Sequence, residues 1–119
     1  MQVYKIVTPI YVKDLDSALM YYEQLLNQKA TNRFSYKEKN LDIAVINTLI
    51  IIAGTDEALK AVNSISLSIL VDDIKEYRQW LIENGATIVE DITRVPTGFN
   101  MIVRQPDNLV IEIVEHTNH

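Results

Sequence analysis

The chain has 119 residues, of which 48% are hydrophobic and 23% are charged, and its formal net charge at pH 7 is −5. This length and composition predict one globular domain, and the acidic balance argues against nucleic acid or an anionic membrane surface as a partner, since phosphate contacts need clustered Lys and Arg. The absence of cysteine excludes disulfides, thiolate metal sites and cysteine nucleophiles.

The first half of the chain predicts a strand, a helix and three further strands. β-branched residues favour a strand over residues 5–12. Asp14 is a good helix N-cap, and apolar residues at helical spacing from Leu15 predict a helix that ends near Asn27. Residues 33–37, 41–47 and 48–53 follow as strands, separated by turns at 38–40 and near 47–48.

The second half predicts the same order of elements. A polar connector over residues 55–63, with one helical turn at 56–59, leads to the alternating segment 64–69, which is the clearest strand of the chain. Asp73 followed by Glu76 predicts a helix start, and Gly85 predicts its end. Strands are expected at 87–91 or slightly beyond, at 99–104 and at 109–115, with a turn at 106–108 and a loop at 94–98 that is a candidate rim or lid.

The two halves also share a short sequence pattern. Residues 10–15 (IYVKDL) and residues 69–74 (ILVDDI) lie 59 positions apart, and in both an aliphatic run ends in an acid that opens a helix. We therefore divide the single domain into two βαβββ modules of about 1–58 and 59–119. Similar halves usually enclose a cavity between them, and that cavity is the candidate ligand site.

The chain shows no targeting or membrane segment. Its amino-terminal residues lack the basic start and the long apolar stretch of a secretion signal. The most apolar run, residues 41–54, is interrupted by polar residues and falls short of the roughly 20 residues of a membrane helix. We expect a soluble protein of the cytoplasm.

Residues 10–22 (IYVKDLDSALMYY) and 105–114 (QPDNLVIEIV) resemble the vicinal oxygen chelate superfamily, which contains glyoxalase I, bleomycin-resistance proteins and extradiol dioxygenases. The resemblance covers essentially the whole chain. It implies an α+β fold in which two tandem βαβββ modules form a cupped mixed sheet whose concave side binds a ligand. It also implies a homodimer, with each cup built within one chain or from exchanged modules of two chains.

Many members of that superfamily hold a divalent metal on the first and last strand of each module. Carried over by motif position, these sites fall on Val7, Ser66, about Ile52, and Glu112. Glu112 alone has a side chain of the expected kind, and one carboxylate cannot hold a divalent cation beside valine and isoleucine. The resemblance thus predicts neither a metal nor another cofactor.

The two histidines do not replace the missing ligands in this prediction. His116 and His119 fall in a polar carboxy-terminal tail, where solvated residues are the usual finding. Without a histidine in the core strands, a serine–histidine nucleophile also lacks its base.

Glu112 is the candidate anchor for a ligand. By two-residue alternation it points away from Ile111 and Ile113, which are expected to pack under a helix. An acid in an apolar cup must be paired, hydrated or neutralised. Two interpretations stay open: Glu112 anchors a ligand, or it is bonded to Lys5, Arg104 or a hydroxyl.

Serines and aromatic residues supply the remaining candidate contacts. The three serines at 64, 66 and 68 share one face of their strand and line either a polar pocket or an exposed surface. The aromatic rings on or beside strands stack on a planar or cationic ligand, or belong to the core. The full set of candidate ligand-binding residues is Glu112, Val7, Tyr11, Ser66, Ser68, Phe34, Tyr36 and Phe99.

Three hypotheses for the function follow. The first is a metal-independent protein that resembles bleomycin-resistance proteins and sequesters a small cationic or aromatic ligand in a cup at a dimer interface. The second is a glyoxalase-type lyase or a dioxygenase, which the lost ligand positions disfavour. The third is a metal-free enzyme or a structural module that uses the same cup, with Glu112 as a candidate acid or base.

Overall fold

The computed structural model describes residues 1–117 and divides the chain into two compact units. We call Thr8–Ser64 the amino-terminal unit. The carboxy-terminal unit consists of Met1–Val7 together with the chain from Ile65 onward. Among the described residues, no helix has the length and apolar character that crossing a membrane requires.

The elements follow one another as β1 (Val3–Val12), α1 (Leu15–Leu26), β2 (Asn32–Tyr36), a 3₁₀ turn (Lys37–Lys39), β3 (Leu41–Ile46), β4 (Leu49–Ala53), α2 (Asp56–Lys60), β5 (Leu67–Val71), α3 (Ile74–Glu83), β6 (Thr87–Val95), β7 (Gly98–Arg104) and β8 (Val110–His116). The short helix α2 lies in the predicted connector. The order confirms the predicted α+β class with two βαβββ modules, and the pairing of the strands is mixed, as predicted.

In the amino-terminal unit the strands are hydrogen-bonded in the order β2-β3-β4-β1, where β1 contributes residues 8–12. β1 and β4 run parallel, and the other two pairs are antiparallel. α1 covers one face of these strands, and the buried core beneath it consists of Leu15, Ala44, Ile46, Ile51 and Ala53. The other face of these strands is not covered by α1.

The ends of α1 form as the sequence predicts. The Asp14 carboxylate accepts a hydrogen bond from the Ser17 backbone N–H at 3.2 Å, which satisfies one of the free donors at the helix start. Asn27 ends the helix in the left-handed conformation (φ 53°), which asparagine tolerates better than most residues.

In the carboxy-terminal unit the order is β1-β5-β8-β7-β6, where β1 contributes residues 3–7. β5 and β8 are parallel, and the other pairs are antiparallel. α3 covers one face, begins at the N-cap Asp73 and is followed by Gly85 at φ +95°. The buried core of this unit consists of Val71, Ile74, Leu81, Met101, Val103, Ile111 and Ile113.

Three of the boundaries that differ from the sequence prediction bear on the candidate site. β6 continues to Val95, so that the predicted rim or lid loop is a tight hairpin turning at Pro96 and Thr97. β5 begins at Leu67 rather than at residue 64, and Leu67 lies opposite Ile111 of β8. β8 includes His116, which pairs with Gly98, so the prediction that His116 lies in a tail is wrong.

Candidate functional site

Glu112 lies in the middle of β8, on the strand face that points away from α3. Its neighbours Ile111 and Ile113 are buried in the core with Ile74 and Leu81 of α3. Because side chains alternate along a strand, Glu112 occupies the opposite face, where it is half-buried. The sequence predicted this direction from the same alternation.

Two neutral side chains hold the Glu112 carboxylate. The Ser68 hydroxyl donates to Oε1 at 2.6 Å, and the Asn100 side-chain amide donates to Oε2 at 2.8 Å. Ser68 is only 4% exposed, so its bond is shielded from water. Within residues 1–117, no salt bridge joins Glu112 to Lys5, Arg104 or any other basic side chain. Of the partners predicted for Glu112, which were Lys5, Arg104 or a hydroxyl, the structure shows a hydroxyl, that of Ser68.

Asn100 is a site residue that the sequence prediction missed. It interrupts the apolar strand β7, between Phe99 and Met101, in the way that Glu112 interrupts β8. A lone amide within an apolar strand is a signal in itself, because a buried amide needs hydrogen-bond partners.

Strand register shows which residues share the face of Glu112. One cross-strand row contains Val7, Ser68, Glu112 and Ile102. The adjacent row contains Lys5, Leu70, Val114 and Asn100. We call these two rows, together with His116, the Glu112 face. It combines apolar side chains with a held carboxylate, a lysine and a histidine.

His116 belongs to this face because it lies four residues after Glu112 on β8. Partial burial of the imidazole lowers its pKa from the ordinary value; the charge of Glu112 opposes this change and the charge of Lys5 adds to it. The side chain keeps an exposed surface. His119, the other predicted tail histidine, lies outside the described residues.

The predicted serine row is divided by the start of β5. Ser64 and Ser66 precede the strand and are exposed, and the Ser66 backbone N–H donates to the Val110 carbonyl at 3.0 Å. Ser68 lies within β5 and contacts Glu112. Of these three serines, the structure brings Ser68 alone into the bonded cluster.

Three of the predicted aromatic contacts lie in the amino-terminal unit. Tyr11 is opposite Ile52, Ile52 is opposite Ile43, and Ile43 is opposite Phe34. Tyr36 is two residues from Phe34 on β2 and shares its face, which is not the face that α1 covers. The register thus brings Tyr11, Phe34 and Tyr36 onto one largely apolar surface of that unit.

Phe99, the fourth aromatic candidate, lies on the core face of β7. It packs against the buried cluster that contains Met101 and Val103, and the Arg94 guanidinium lies 5.1 Å from its ring centroid. The structure therefore places Phe99 with the core and not beside Glu112.

The register refines the comparison between the modules. The 59-residue offset pairs Ser68 with Pro9, and Pro9 is opposite Ile50 whereas Ser68 is opposite Glu112. The counterpart of Glu112 is therefore Ile50, rather than a residue near Ile52. Residues 50 and 52 are both isoleucine, so the first module offers no carboxylate at either position.

The residues at the metal positions of the superfamily do not fit a divalent cation. Val7 has no donor atom and Ser66 lies outside β5, so Glu112 is the one carboxylate among these positions. A divalent ion needs several convergent N or O ligands. In the described part of the chain, no group of three or more His, Asp and Glu side chains is arranged to hold a metal.

Comparisons with known proteins agree with this architecture. The sequence model of the Glyoxalase/Bleomycin resistance protein/Dioxygenase superfamily matches residues 5–113. The protein YwbC of Bacillus subtilis (strain 168) is 26% identical over 118 residues, which cover 91% of this chain and 94% of YwbC.

Two solved structures extend the comparison. A hypothetical protein from Methanosarcina mazei is 40% identical and superimposes with a TM-score of 0.94 over 100% of this chain and 97% of that one. Methylmalonyl-CoA epimerase from Mycobacterium tuberculosis is 20% identical, with a TM-score of 0.78 over 98% of this chain and 90% of the epimerase. At that identity the epimerase shares the fold, and its reaction is not transferred.

Proposed function

Because the chain belongs to the Glyoxalase/Bleomycin resistance protein/Dioxygenase superfamily, we propose that it is a cytoplasmic, metal-independent binding protein for a small cationic or aromatic molecule. Glu112 anchors the cationic or hydrogen-bond-donating group of that molecule. The protein sequesters the ligand as bleomycin-resistance proteins do, and it leaves the ligand chemically unchanged.

The observation that carries this proposal is the way in which Glu112 is held. Ser68 and Asn100 fix both carboxylate oxygens but bring no positive charge. A half-buried carboxylate that is oriented by neutral donors retains its attraction for a cation. Because the side chain is already positioned, a ligand pays little ordering entropy when it binds there.

The Glu112 carboxylate can accept further hydrogen bonds from a ligand. Each carboxylate oxygen can accept more than one hydrogen bond, so an ammonium or amidinium group can add to the bonds from Ser68 and Asn100. The apolar neighbours in the same row, Val7 and Ile102, favour a ligand with an apolar body. Taken by itself, the amino-terminal unit has a surface formed by Tyr11, Phe34 and Tyr36 that is suited to stack on an aromatic ring.

The competing metal-dependent functions lack the ligands they need. A lyase or a dioxygenase of this superfamily requires a divalent metal, and the residues at the corresponding positions do not fit one. The remaining enzymatic alternative, Glu112 as an acid or base, predicts that a bound molecule is converted to product. Mass spectrometry of ligand recovered from the protein separates that alternative from sequestration, since sequestration returns the molecule unchanged.

The test uses two probes of the same shape, benzylamine and benzyl alcohol, in thermal-shift measurements with EDTA present. We expect benzylamine to raise the melting temperature and benzyl alcohol to have a much smaller effect, because only the amine carries a charge. Glu112→Gln should abolish the difference. Glu90→Gln removes an exposed acid opposite Ile102 and should preserve it.

Two results would contradict the proposal. One is a rise in the melting temperature with divalent metals, if EDTA abolishes this rise and benzylamine does not reproduce it. The other is equal stabilisation of the wild type and of Glu112→Gln by benzylamine. The unliganded melting temperature of each variant serves as the folding control.

We also propose that the protein is a homodimer. Support comes from α1, where Met20, Tyr21 and Leu25 are each more than 60% exposed. At about 100° per residue they lie within one helix face of roughly 140°, and contiguous exposed apolar groups mark interaction surfaces. Light scattering should give a dimer for the wild type and a monomer for Leu25→Glu, with Gln28→Glu as the polar control. A monomeric wild type at high protein concentration would reject this proposal.

A further inference from the structure

Lys5 is a basic residue of the Glu112 face. It is half-buried on β1, opposite Leu70 of β5. Within residues 1–117, no carboxylate forms a salt bridge with it. Its apolar stem can lie along the sheet while its ammonium group stays available to an anionic group of a ligand.

His116 lies close enough to Lys5 for their charges to interact. The positive charge of Lys5 and the partial burial of the imidazole both lower the pKa of His116. A neutral imidazole still offers one N–H donor. Lys5 and His116 together therefore present donors and positive charge, whereas Glu112 presents negative charge.

Apolar side chains separate the two kinds of charge. Leu70 and Val114 lie in the row of Lys5, and Val7 lies beside Lys5 on the same face of β1. All three are half-buried, so they form a partly open apolar floor. A ligand that covers this floor comes near Glu112 at one end and near Lys5 and His116 at the other.

We propose that Lys5 and His116 form a second anchoring point for an anionic group, so that the ligand of the Glu112 face is an amino carboxylate or another zwitterion with an apolar body. This inference rests on the proposed function and names the ligand class for the same site. A ligand with a cation alone leaves Lys5 unpaired, and a ligand with an anion alone is repelled by Glu112.

Strand geometry sets the separation of the two charges. Lys5 lies two strands away from Glu112 and one row along, which places their Cα atoms roughly 12 Å apart at about 4.8 Å per strand and about 3.3 Å per residue. The Lys5 and Glu112 side chains extend into that gap. A body of about one aromatic ring between the ammonium and the carboxylate therefore matches the site.

The experiment compares 4-(aminomethyl)benzoate with its two half-ligands, benzylamine and benzoate, by calorimetry in EDTA. For the wild type we expect 4-(aminomethyl)benzoate to bind about tenfold or more tightly than benzylamine, the gain of one charge-assisted contact. Lys5→Gln should remove most of this gain without weakening benzylamine, because the loss of a positive charge on the same face does not disfavour a cation. Arg104→Gln, which removes an exposed cation from the next row of the same face, should retain the gain.

The outcomes separate this inference from the proposed function. Suppose that Glu112→Gln weakens benzylamine binding. If 4-(aminomethyl)benzoate then binds the wild type no more tightly than benzylamine does, or if Lys5→Gln retains the gain, the second anchor is rejected and the Glu112 anchor stands. If Glu112→Gln leaves benzylamine binding unchanged, the proposed function itself fails. His116→Gln should reduce the gain more than Arg104→Gln does, and equal effects would remove His116 from the anchor.

Discussion

The Ser68 hydroxyl donates a hydrogen bond of 2.6 Å to Glu112 Oε1 across the parallel strands β5 and β8. The two residues lie 44 positions apart in the sequence and directly opposite each other in register. This bond fixes the orientation of the carboxylate without neutralising it. A carboxylate held in this way can act on a ligand, whereas one paired with a lysine would already be satisfied.

The first prediction concerns the stability of this bond. Ser68→Ala should lower the free energy of unfolding by about 1.5–3 kcal/mol, because a hydrogen bond to a charged, half-buried acceptor is lost. The measurement is urea denaturation at pH 7. Ser66→Ala, the same change at an exposed position outside β5, should cost less than about 0.5 kcal/mol. Equal effects of the two substitutions would show that the Ser68 bond contributes nothing.

The second prediction follows from the lowered pKa of His116. The unfolded chain binds a proton at the ordinary value of 6.5, whereas the folded chain binds it at lower pH. Folding therefore loses stability as the pH falls from above 6.5 toward the folded pKa. The free energies of unfolding of the wild type and of His116→Gln are measured by denaturation between pH 7.5 and pH 5. As the pH falls, the free energy of unfolding of the wild type should decrease relative to that of the variant. A constant difference would contradict the shift.

The same histidine reports on its charged neighbours. Because Glu112 raises the pKa of His116 and Lys5 lowers it, Glu112→Gln should move the imidazole titration to lower pH and Lys5→Gln should move it to higher pH. NMR of the imidazole protons follows both titrations. Unchanged values in both variants would mean that these charges do not meet on one face.

The third prediction compares two isoleucines that share one cross-strand row of the carboxy-terminal unit but differ in burial. Ile113 is 2% exposed beneath α3, and Ile6 is 52% exposed on β1. Ile113→Ala should cost about 2–5 kcal/mol through lost burial and a residual cavity, and Ile6→Ala should cost under about 1 kcal/mol. Paired urea titrations give both values, and a reversal of their order would contradict the burial of Ile113 beneath α3.

The fourth prediction concerns Gly98 at the start of β7. Its φ is +151°, and a Cβ built there would lie 2.1 Å from the Glu115 carbonyl oxygen. Gly98→Ala should therefore be more destabilising than Gly85→Ala, where φ is +95° but the nearest atom is Pro106 Cγ at 3.4 Å. Thermal unfolding of both variants tests the order. If the Gly85 substitution proves the more harmful, the close approach of β7 to β8 is wrong.

Local signals predicted most of the fold. Asp14 and Asp73 cap the two long helices in the structure, and Asn108 adopts φ 73° in the predicted turn after Pro106. These features depend on contacts within a few residues, so the sequence around each of them suffices. The repeat at the 59-residue offset supplied the order of the two modules.

What the sequence prediction missed depends on pairing between distant strands. His116 belongs to β8 because Gly98 of β7 pairs with it, and the residues near His116 do not predict this pairing. Ser66 looks like a strand residue by alternation and its backbone N–H donates to the Val110 carbonyl, yet β5 itself begins only at Leu67, opposite Ile111 of β8. Asn100 had a local signal, its polarity within an apolar strand, but its bond to Glu112 follows from the register of β7 on β8.

The most direct test of the account is the affinity of benzylamine for the wild type and for Glu112→Gln, measured by calorimetry in EDTA and again with excess Mg²⁺ or Mn²⁺. We predict that the substitution raises the dissociation constant by about tenfold or more, the value of one charge-assisted hydrogen bond, and that the metals leave the wild-type affinity unchanged. An unchanged dissociation constant in Glu112→Gln, or binding that appears only when metal is added, would contradict the account.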